Sequence, residues 1–233
     1  VARVVIANPL QVKAIAHARV KTDKVDAKIL AQLHTAGFLP EVWVADDDTL
    51  NLRRLVSERA ALVRSVRRVK SRVQAVLHAN LVPKYSGHLF GKGGRDWLST
   101  APLPKAERDL LARHLDELDW LNGKLEKLDG AMARIALDDT RTRKLMTIAG
   151  INSVVATAVI AAIGDISRFP TPDRLASYFG LTPRVRQSGD RGAIHGRISK
   201  QGNAIARTML IEAAWSAASV PGPLRAFFLR IKD

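Results

Sequence analysis

Hydrophobic residues recur at helical spacing along two long stretches of the chain. In residues 49–80 leucines and valines repeat at steps of three, four or seven, and in residues 105–137 the steps alternate between three and four. Either spacing puts one apolar stripe on a helix, and the second forms a heptad seam. Together they predict long coiled-coil helices, with the coiled coil either antiparallel or intermolecular. The stripe positions are Leu55, Leu62, Val66, Val69, Val73, Val76, Leu118, Leu121, Leu125, Leu128, Met132 and Ile135.

The segment before these helices mixes strand and helix patterns. β-branched residues at 4–6 predict a strand that ends at the breaker pair Asn-Pro at 8–9. A helix with one apolar face follows and closes at Gly37. The run at 42–44 is either an edge strand or an extended linker. Between the two long helices, residues 81–104 hold three prolines and four glycines, which predicts a loop.

Residues 141–233 predict a further helical region whose first turn contains a glycine. In the run TIAGINSVVATAVIAAIGD one helix ends at the first glycine and the next begins at about Asn152. The pair is either a plain helical hairpin or a helix-hairpin-helix element, in which turn N–H groups and a helix N-terminus receive a DNA phosphate. In the second case Gly150 and Asn152 lie at the phosphate. Shorter helices are predicted at 173–180, at 204–219 and after 221.

The positive charge of this helical chain predicts a polyanionic partner. The formal net charge is +15, and eight cations between Arg53 and Arg72 stand against the single acid Glu58. Arg64 and Arg68 share one helix stripe with Arg72. Clustered positive charge of this kind is typical of nucleic-acid binding. A generic basic surface and contact with acidic lipid are the alternatives.

Several classes of protein are excluded by what the sequence lacks. There is no cysteine, which excludes disulfides and cysteine-ligated zinc and suits a cytosolic protein. No run of about 18 apolar residues occurs, so no membrane span is expected. The start, VARVVIANPL, has no cationic region typical of a signal peptide and no initiator Met. We interpret the chain as a piece of a longer one.

Two carboxylates stand at the start of the first amphipathic helix. Asp23 and Asp26 are three residues apart, so both can lie on one helix face. Such a pair can bind Mg²⁺, which prefers oxygen ligands and assists phosphodiester cleavage. The alternative is structural, because Asp23 as N-cap with Asp26 three residues later is close to a capping box. Lys21, Lys24 and Lys28 either contact a nucleic-acid backbone or form a solvated face.

The stretch RVRQSGDRGAIHGRISKQGN, residues 184–203, is too polar and too broken by glycine for a core helix or strand. Its serines either turn the chain or react at a phosphate. Ser188 precedes Gly189, which permits a tight turn or a close approach of the backbone to a phosphate. Ser199 is a candidate helix cap, and His195 is either a general base or an exposed histidine. The candidate phosphate-binding cations in this stretch are Arg184, Arg186, Arg191, Arg197 and Lys200, and Arg207 follows in the next helix.

The order of these segments resembles one protein family. Over nearly the whole chain the sequence runs through NPLQVKAIAHARVKTDKVDAKILAQL, the heptad helices, TIAGINSVVATAVIAAIGDISRF and YFGLTPRVRQSGDRGAIHGRISKQGNAIARTMLIEAA. In this order it resembles the DEDD-type transposases of the one-ten insertion-sequence family, the bridge-RNA-guided serine recombinases. The resemblance implies a DNA transposase that requires Mg²⁺ and a structured guide RNA.

The resemblance also implies a mainly α fold in three regions. Residues 1–45 would be the C-terminal remnant of a RuvC-like, or ribonuclease-H-like, α/β domain whose four acids bind Mg²⁺. Residues 46–140 would be a coiled-coil region with a Gly/Pro loop at 81–104. Residues 141–233 would be an α-helical transposase domain with the helix-hairpin-helix-like element and the serine loop.

Individual residues carry over by motif. The pattern T-D-x-x-D-A matches Asp23 and Asp26 as the last two acids of the family, and Q-S-G matches Ser188 as the nucleophile. The first Asp and the Glu of the family would precede Val1, so the chain is expected to be truncated at both ends and inactive alone. The resemblance further implies a homo-oligomer, a dimer or tetramer, on DNA and RNA at the bacterial nucleoid, in the cytoplasm.

Three functions remain open on the sequence. The first is a recombinase in which Ser188 attacks DNA with help from Mg²⁺ at Asp23 and Asp26. The second is a non-catalytic nucleic-acid-binding scaffold that dimerises through the coiled coil. The third is a Mg²⁺-dependent nuclease or resolvase in which the acids act and the serine is inert.

Overall fold

The computed structural model describes residues 4–15, 22–187, 189 and 192–232. Most of them are helical, and the sheet among them has two antiparallel strands, which confirms the mainly α fold class. They form two compact units, residues 1–47 and residues 48–233. The elements are α1 (Pro9–Ile15), α2 (Asp23–Thr35), α3 (Asp47–Ala79), α4 (Lys92–Thr100), α5 (Lys105–Asp138), α6 (Thr140–Met146), α7 (Ser153–Ile163), a 3-10 turn (Ile166–Arg168), α8 (Pro172–Tyr178), β1 (Pro183–Arg186), β2 (Ile194–Ile198), α9 (Ala204–Ser219) and α10 (Pro223–Lys232).

The first unit contains one isolated β-bridge in place of the strand expected at 4–6. Ala7 pairs with Glu41, and the N–H of Val42 donates to the carbonyl of Ile6 at 2.7 Å. The strand prediction is therefore wrong in extent, because no further strand continues the ladder within the described part of the unit. The run at 42–44 is extended chain.

The Asn-Pro pair begins a helix instead of only ending a strand. Asn8 Oδ1 accepts a hydrogen bond from the N–H of Leu10 at 3.0 Å, and Pro9 occupies the first position of α1. An Asn cap followed by Pro favours a helix start, since the missing proline N–H needs no partner there. The next helix, α2, has the predicted apolar face, half-buried at Val25, Ile29 and Leu33.

In the second unit α3 and α5 pack antiparallel along their apolar stripes. The start of each helix packs with the end of the other, in three hydrophobic clusters: Val73 with Leu111, Val66 and Val69 with Leu118 and Leu121, and Val56 with Met132. An ion pair between Arg59 Nε and Asp129 Oδ1, 2.5 Å apart, joins the two helices. The pairing is thus antiparallel within one chain. Coiled-coil association between two chains stays a prediction.

The loop prediction for residues 81–104 is wrong for its second half, which forms α4. Leu98 is fully buried, and together with Ala101 and Leu103 it packs on the end of α3 and the start of α5. Burial of these side chains offsets the low helix propensity of the glycines in this segment. The prolines and glycines indicated correctly that the chain is interrupted between the two long helices, but they did not indicate that α4 packs against both of them.

Helices α5, α6 and α9 pack against α7, in which nine of eleven residues are buried. A helix that is apolar on all sides belongs in an interior. Its last carbonyls accept hydrogen bonds from Arg53, Arg168 and Tyr178. None of the helices in the described ranges is both long and apolar enough to cross a membrane.

The predicted regions 46–140 and 141–233 share a hydrophobic cluster. In it, Val56 of α3 and Met132 of α5 pack with Ala158 and Ala161 of α7. The division of the chain into three functional regions stays a prediction.

Candidate acidic site and nucleic-acid interface

Asp23 and Asp26 occupy the first turn of α2, and both are exposed. The N-cap is Thr22, whose Oγ1 accepts a hydrogen bond from the N–H of Val25 at 3.3 Å. The alternative in which Asp23 is the cap is therefore wrong by one residue. Neither carboxylate is needed to close the helix end, although both gain from the positive end of the helix dipole.

The oxygen atoms of the acidic pair are of the type that binds Mg²⁺. The pair would supply only part of the ligands. Carboxylate oxygens are the hard ligands that Mg²⁺ prefers. Over the described ranges no group of three or more His, Asp or Glu side chains is placed to hold a metal ion. Asp23 and Asp26 would therefore be two ligands of a larger set. Lys24 and Lys28 are exposed beside them, and Lys21 lies outside the described residues.

The cationic stripe on α3 is only partly available to a ligand. Arg72 Nη1 lies 3.2 Å from a carboxylate oxygen of Glu117 on α5, so this cation has a partner within the chain. The side chains of Arg64 and Arg68 are exposed and form no hydrogen bond or ion pair with any residue that the structure describes. The same holds for Arg67, which the sequence stripe did not include. These three remain the candidate phosphate contacts on α3.

The turn between α6 and α7 gives Gly150 and Asn152 structural roles. Gly150 has φ of 86°, and a Cβ at this position would overlap the carbonyl of Ala213 in α9. Asn152 caps α7, since its Oδ1 accepts a hydrogen bond from the N–H of Val155 at 3.0 Å. A plain helical hairpin would require the same two residues. Phosphate binding at this turn therefore remains a prediction.

Asp139 caps α6, the helix that precedes this turn. Asp139 accepts hydrogen bonds from the backbone N–H of Arg141 at 2.7 Å and from the Arg141 guanidinium at 2.8 Å. The guanidinium beside Asp139 holds the pKa of that carboxyl below its usual value. The charged carboxylate thus stabilises the junction between α5 and α6.

The strands β1 and β2 form an exposed antiparallel hairpin inside the serine stretch. Val185 pairs with His195 and Arg186 with Ile194. Every residue of the two strands is exposed except Ile198, which is half-buried. The stretch is thus no core strand, as expected, but it is not a plain loop either. His195 is an exposed strand residue.

Of the two serines in this stretch, the structure describes Ser199 and not Ser188. Ser188, like Arg191, lies outside the described residues. Gly189 next to it has φ of 60°, in the left-handed region, which fits the predicted tight turn. Ser199 is not the cap of α9, because Asn203 Oδ1 accepts hydrogen bonds from the second and third N–H groups of that helix at 3.0 Å.

Two of the predicted phosphate-binding arginines donate hydrogen bonds to backbone carbonyls within the protein. Arg184 Nη2 donates to the carbonyl of Ser199 at 3.2 Å, across the base of the hairpin. Arg207 is half-buried and its Nη1 donates to the carbonyl of Phe179 at the end of α8, at 3.0 Å. The cations of this region that are exposed and without a described side-chain partner are Arg186, Arg197 and Lys200.

Comparison with known proteins identifies two matching family models. The model described as Transposase IS116/IS110/IS902 family matches residues 142–229, and a DEDD transposase model of the IS110 group matches residues 2–80. The first contains Ser188, and the second contains Asp23 and Asp26. Together the two matches cover more than half of the chain.

Curated relatives agree with both models. The putative transposase y4qE of Sinorhizobium fredii is 30% identical over 203 residues, which cover 85% of this chain and 48% of that protein. The transposase for insertion sequence element IS1111A of Coxiella burnetii is 28% identical over 210 residues, covering 83% and 54%. The pilin gene-inverting protein of Moraxella bovis is 29% identical over 191 residues, covering 80% and 51%. The chain spans about half the length of these relatives, and with both transposase segments present in order it belongs to the IS110/IS116/IS902 family of transposases.

Proposed function

We propose that the protein is a transposase and site-specific recombinase of an insertion sequence, in which Ser188 attacks a DNA phosphodiester. Asp23 and Asp26 help to hold Mg²⁺ near the scissile phosphate. The observation that carries the proposal is the family membership, with the two acids in one matched segment and the serine in the other. Similarity to the pilin gene-inverting protein of Moraxella bovis supports the rejoining of DNA strands as part of the reaction.

The proposed step at Ser188 exchanges one phosphoester bond for another. The Oγ atom loses its proton and bonds to phosphorus while the P–O3′ bond breaks, and the leaving 3′-oxygen gains a proton. The products are a 5′-phosphoserine link and a free 3′-hydroxyl. Because the link conserves the ester bond, a 3′-hydroxyl of another strand can reverse the step and release the serine.

Activation of Ser188 needs groups beyond its own hydroxyl, because serine is a weak nucleophile at its usual pKa. Bound Mg²⁺ would supply charge neutralisation at the phosphate. The exposed carboxylates of Asp23 and Asp26 are free of the capping role, which Thr22 fills, and this supports them as ligands. The exposed Arg186 would stabilise negative charge on the attacked phosphate.

The remaining cations would bind nucleic acid away from the reacting atoms. Arg64, Arg67 and Arg68 project from α3 without a partner among the described residues, and salt-sensitive contact with a DNA or guide-RNA backbone is the role that fits them. We include in the proposal the three-region organisation with a RuvC-like part, association of two or four copies through the coiled-coil region, and action at the bacterial nucleoid, in the cytoplasm.

The test is a covalent protein–DNA adduct. The full-length protein is incubated with its element ends, guide RNA and Mg²⁺, and the products are separated on a denaturing gel. We expect an adduct with the wild type and with Ser199→Ala, the matched control serine of the same stretch. We expect none with Ser188→Ala or Asp26→Ala.

Other outcomes of the adduct test would favour another function or remove one part of the proposal. Cleavage that survives Ser188→Ala contradicts the nucleophile and favours a Mg²⁺-dependent nuclease or resolvase. Salt-sensitive binding without cleavage by the wild type favours a non-catalytic scaffold. An adduct that forms equally without RNA removes the guide from the proposal and leaves the serine chemistry in place.

A further inference from the structure

The register of the hairpin contains a β-bulge. Pro183 pairs with Ile198 and Val185 with His195, so β2 has two residues between these pairs where β1 has one. One extra residue on one strand is a bulge, which re-aims side chains and increases the local twist. Paired residues share a face of the ribbon, so Ile198 lies on the same face as His195 although three positions separate them.

The bulge gathers three arginines on one side of the ribbon. The first two flank Val185 along β1 and therefore lie on the face opposite to it. A Cβ at Gly196 would lie 3.8 Å from the Arg184 Cβ, which places Gly196 on that face too. The third arginine precedes Ile198, whose side chain shares the Val185 face, so strand alternation points it the other way. This surface, the arginine face, consists of Arg184, Arg186 and Arg197.

The end of the ribbon near Lys200, its base, is fixed by contacts with α8 and the residues after it, and the rest of the ribbon is exposed. At the base, the N–H of Lys200 donates to the carbonyl of Gly180 at 3.0 Å. Gly202 has φ of 99°, and a Cβ there would overlap the carbonyl of Tyr178, so the backbone is locked against α8. Above the base, Val185 is 54% exposed and Ile194 is 70% exposed. A two-stranded hairpin is marginal in water alone, so its shape depends on this base and on whatever binds its faces.

Charge and dimensions select the partner. Residues 181–203 contain five Arg or Lys side chains and one acid. The two strands lie about 4.8 Å apart, and the major groove of B-DNA, about 12 Å wide, admits such a ribbon without deformation, whereas the minor groove, about 6 Å wide, has to open and bend the duplex to receive one. The major groove of A-form RNA is too narrow for protein side chains to enter. Arginine, in addition, forms bidentate hydrogen bonds with phosphate oxygens.

We infer that the hairpin β1–β2 is a β-ribbon whose arginine face lies in the major groove of duplex DNA. The inference rests on the proposed recombinase function and assigns DNA contact to one element and one groove. Arg186 and Arg197 contact phosphate oxygens along the edges of the groove. Arg184 is a positioning residue, because its guanidinium already donates to the carbonyl of Ser199 and ties the two strands together. The opposite face, with Val185 and His195, points away from the DNA.

The test compares the two faces of the same ribbon. Binding of a labelled mixed-sequence DNA duplex is followed by fluorescence anisotropy at rising NaCl, with full-length protein carrying Ser188→Ala and without Mg²⁺. Arg186→Ala and Arg197→Ala should each reduce the slope of log K against log salt by about 0.9, and together by about 1.8. The controls Val185→Ala and His195→Ala lie on the opposite face and should leave the slope unchanged. Equal thermal midpoints of all variants establish that the fold is intact.

The inference is overturned if the arginine variants keep the wild-type slope, or if the two controls reduce it as much. It is also overturned if an RNA duplex of the same sequence binds equally and responds equally to the arginine variants. Methyl green, which occupies the major groove, should displace the protein, and netropsin, which occupies the minor groove, should not. The reverse order of competition contradicts the groove assignment. Since no strand is cut in this assay, its failure leaves the adduct test of the proposed function untouched.

Discussion

Leu118→Ala perturbs the contact between α3 and α5 at a fully buried leucine. Leu118 is fully buried and packs with Val66, Val69 and Leu121. The substitution removes three carbon atoms, about 2.4 kcal/mol at roughly 0.8 kcal/mol for each. The cavity left behind adds to this loss, because the surrounding helices relax only in part. We expect the free energy of unfolding to fall by about 3–4 kcal/mol.

The assay is urea and thermal unfolding followed by circular dichroism. For a unit the size of residues 48–233, each kcal/mol shifts the midpoint by about 2–4 °C, so the expected decrease is about 6–16 °C. Leu137→Ala is the matched control on the same helix, since Leu137 is 58% exposed. Its effect should be close to zero. A loss below about 1 kcal/mol for Leu118→Ala, or one equal to that of the control, would refute the packing.

The same variant distinguishes pairing within one chain from pairing between chains. Because Leu118 packs against α3 of its own chain, the loss should be equal at all protein concentrations. A seam between two chains would instead make the loss caused by Leu118→Ala change with protein concentration. If the loss does change in this way, the heptad seam joins two copies and the intramolecular contact is wrong.

Further predictions concern backbone strain, pH and helix propensity. Gly150→Ala should lower the unfolding free energy by more than about 1 kcal/mol, because φ is positive and the added Cβ meets the carbonyl of Ala213. Gly123→Ala, in the interior of α5 with open space around it, should instead raise the unfolding free energy by about 1 kcal/mol, and urea titration checks both signs. Asp139→Asn should destabilise at neutral pH, because the native pKa of Asp139 is depressed beside Arg141. Stability from a depressed carboxyl pKa is present above the unfolded value and lost as pH falls through the folded value, so the difference between wild type and variant should shrink in acid.

The long helices were predictable because their signal is repeated many times. Each stripe has six apolar positions at helical steps, and the observed α3 (Asp47–Ala79) and α5 (Lys105–Asp138) begin and end within two residues of the predicted ranges. The sequence left open whether the stripes meet within a chain or between chains. That choice depends on the turn made by residues 81–104, which Leu98 fixes by burial.

The hairpin and α4 were missed for opposite reasons. In β1 and β2 all residues but Ile198 are exposed, so the alternation that reveals a strand with one buried face is absent. In α4 the glycines at 93 and 94 lower helix propensity, while the packing of Leu98 on distant residues overrides it. Apolar residues standing between the breakers, such as Leu98, are the sequence signal for the second, and no local signal marks the first.

The roles of single cations could not be assigned from sequence position. Arg72 and Arg68 share a stripe, yet Arg72 pairs with Glu117, forty-five positions away, and Arg68 does not. Arg207 binds a carbonyl at the end of α8, a contact set by tertiary structure. The position of the acidic motif in the first turn of a helix was predictable, with the cap at Thr22 instead of Asp23, and its role as a metal site stays a prediction.

The central claim is that Ser188 becomes bonded to DNA, and mass spectrometry of the adduct tests it most directly. The adduct is formed with the full-length protein, Mg²⁺ and RNA, digested with nuclease and protease, and the modified peptide is sequenced. The account predicts a nucleotide 5′-phosphate on Ser188, with Ser199 in the same stretch unmodified. A nucleotide on Ser199 or on any other residue, or cleaved DNA with no nucleotide on the protein, would contradict it.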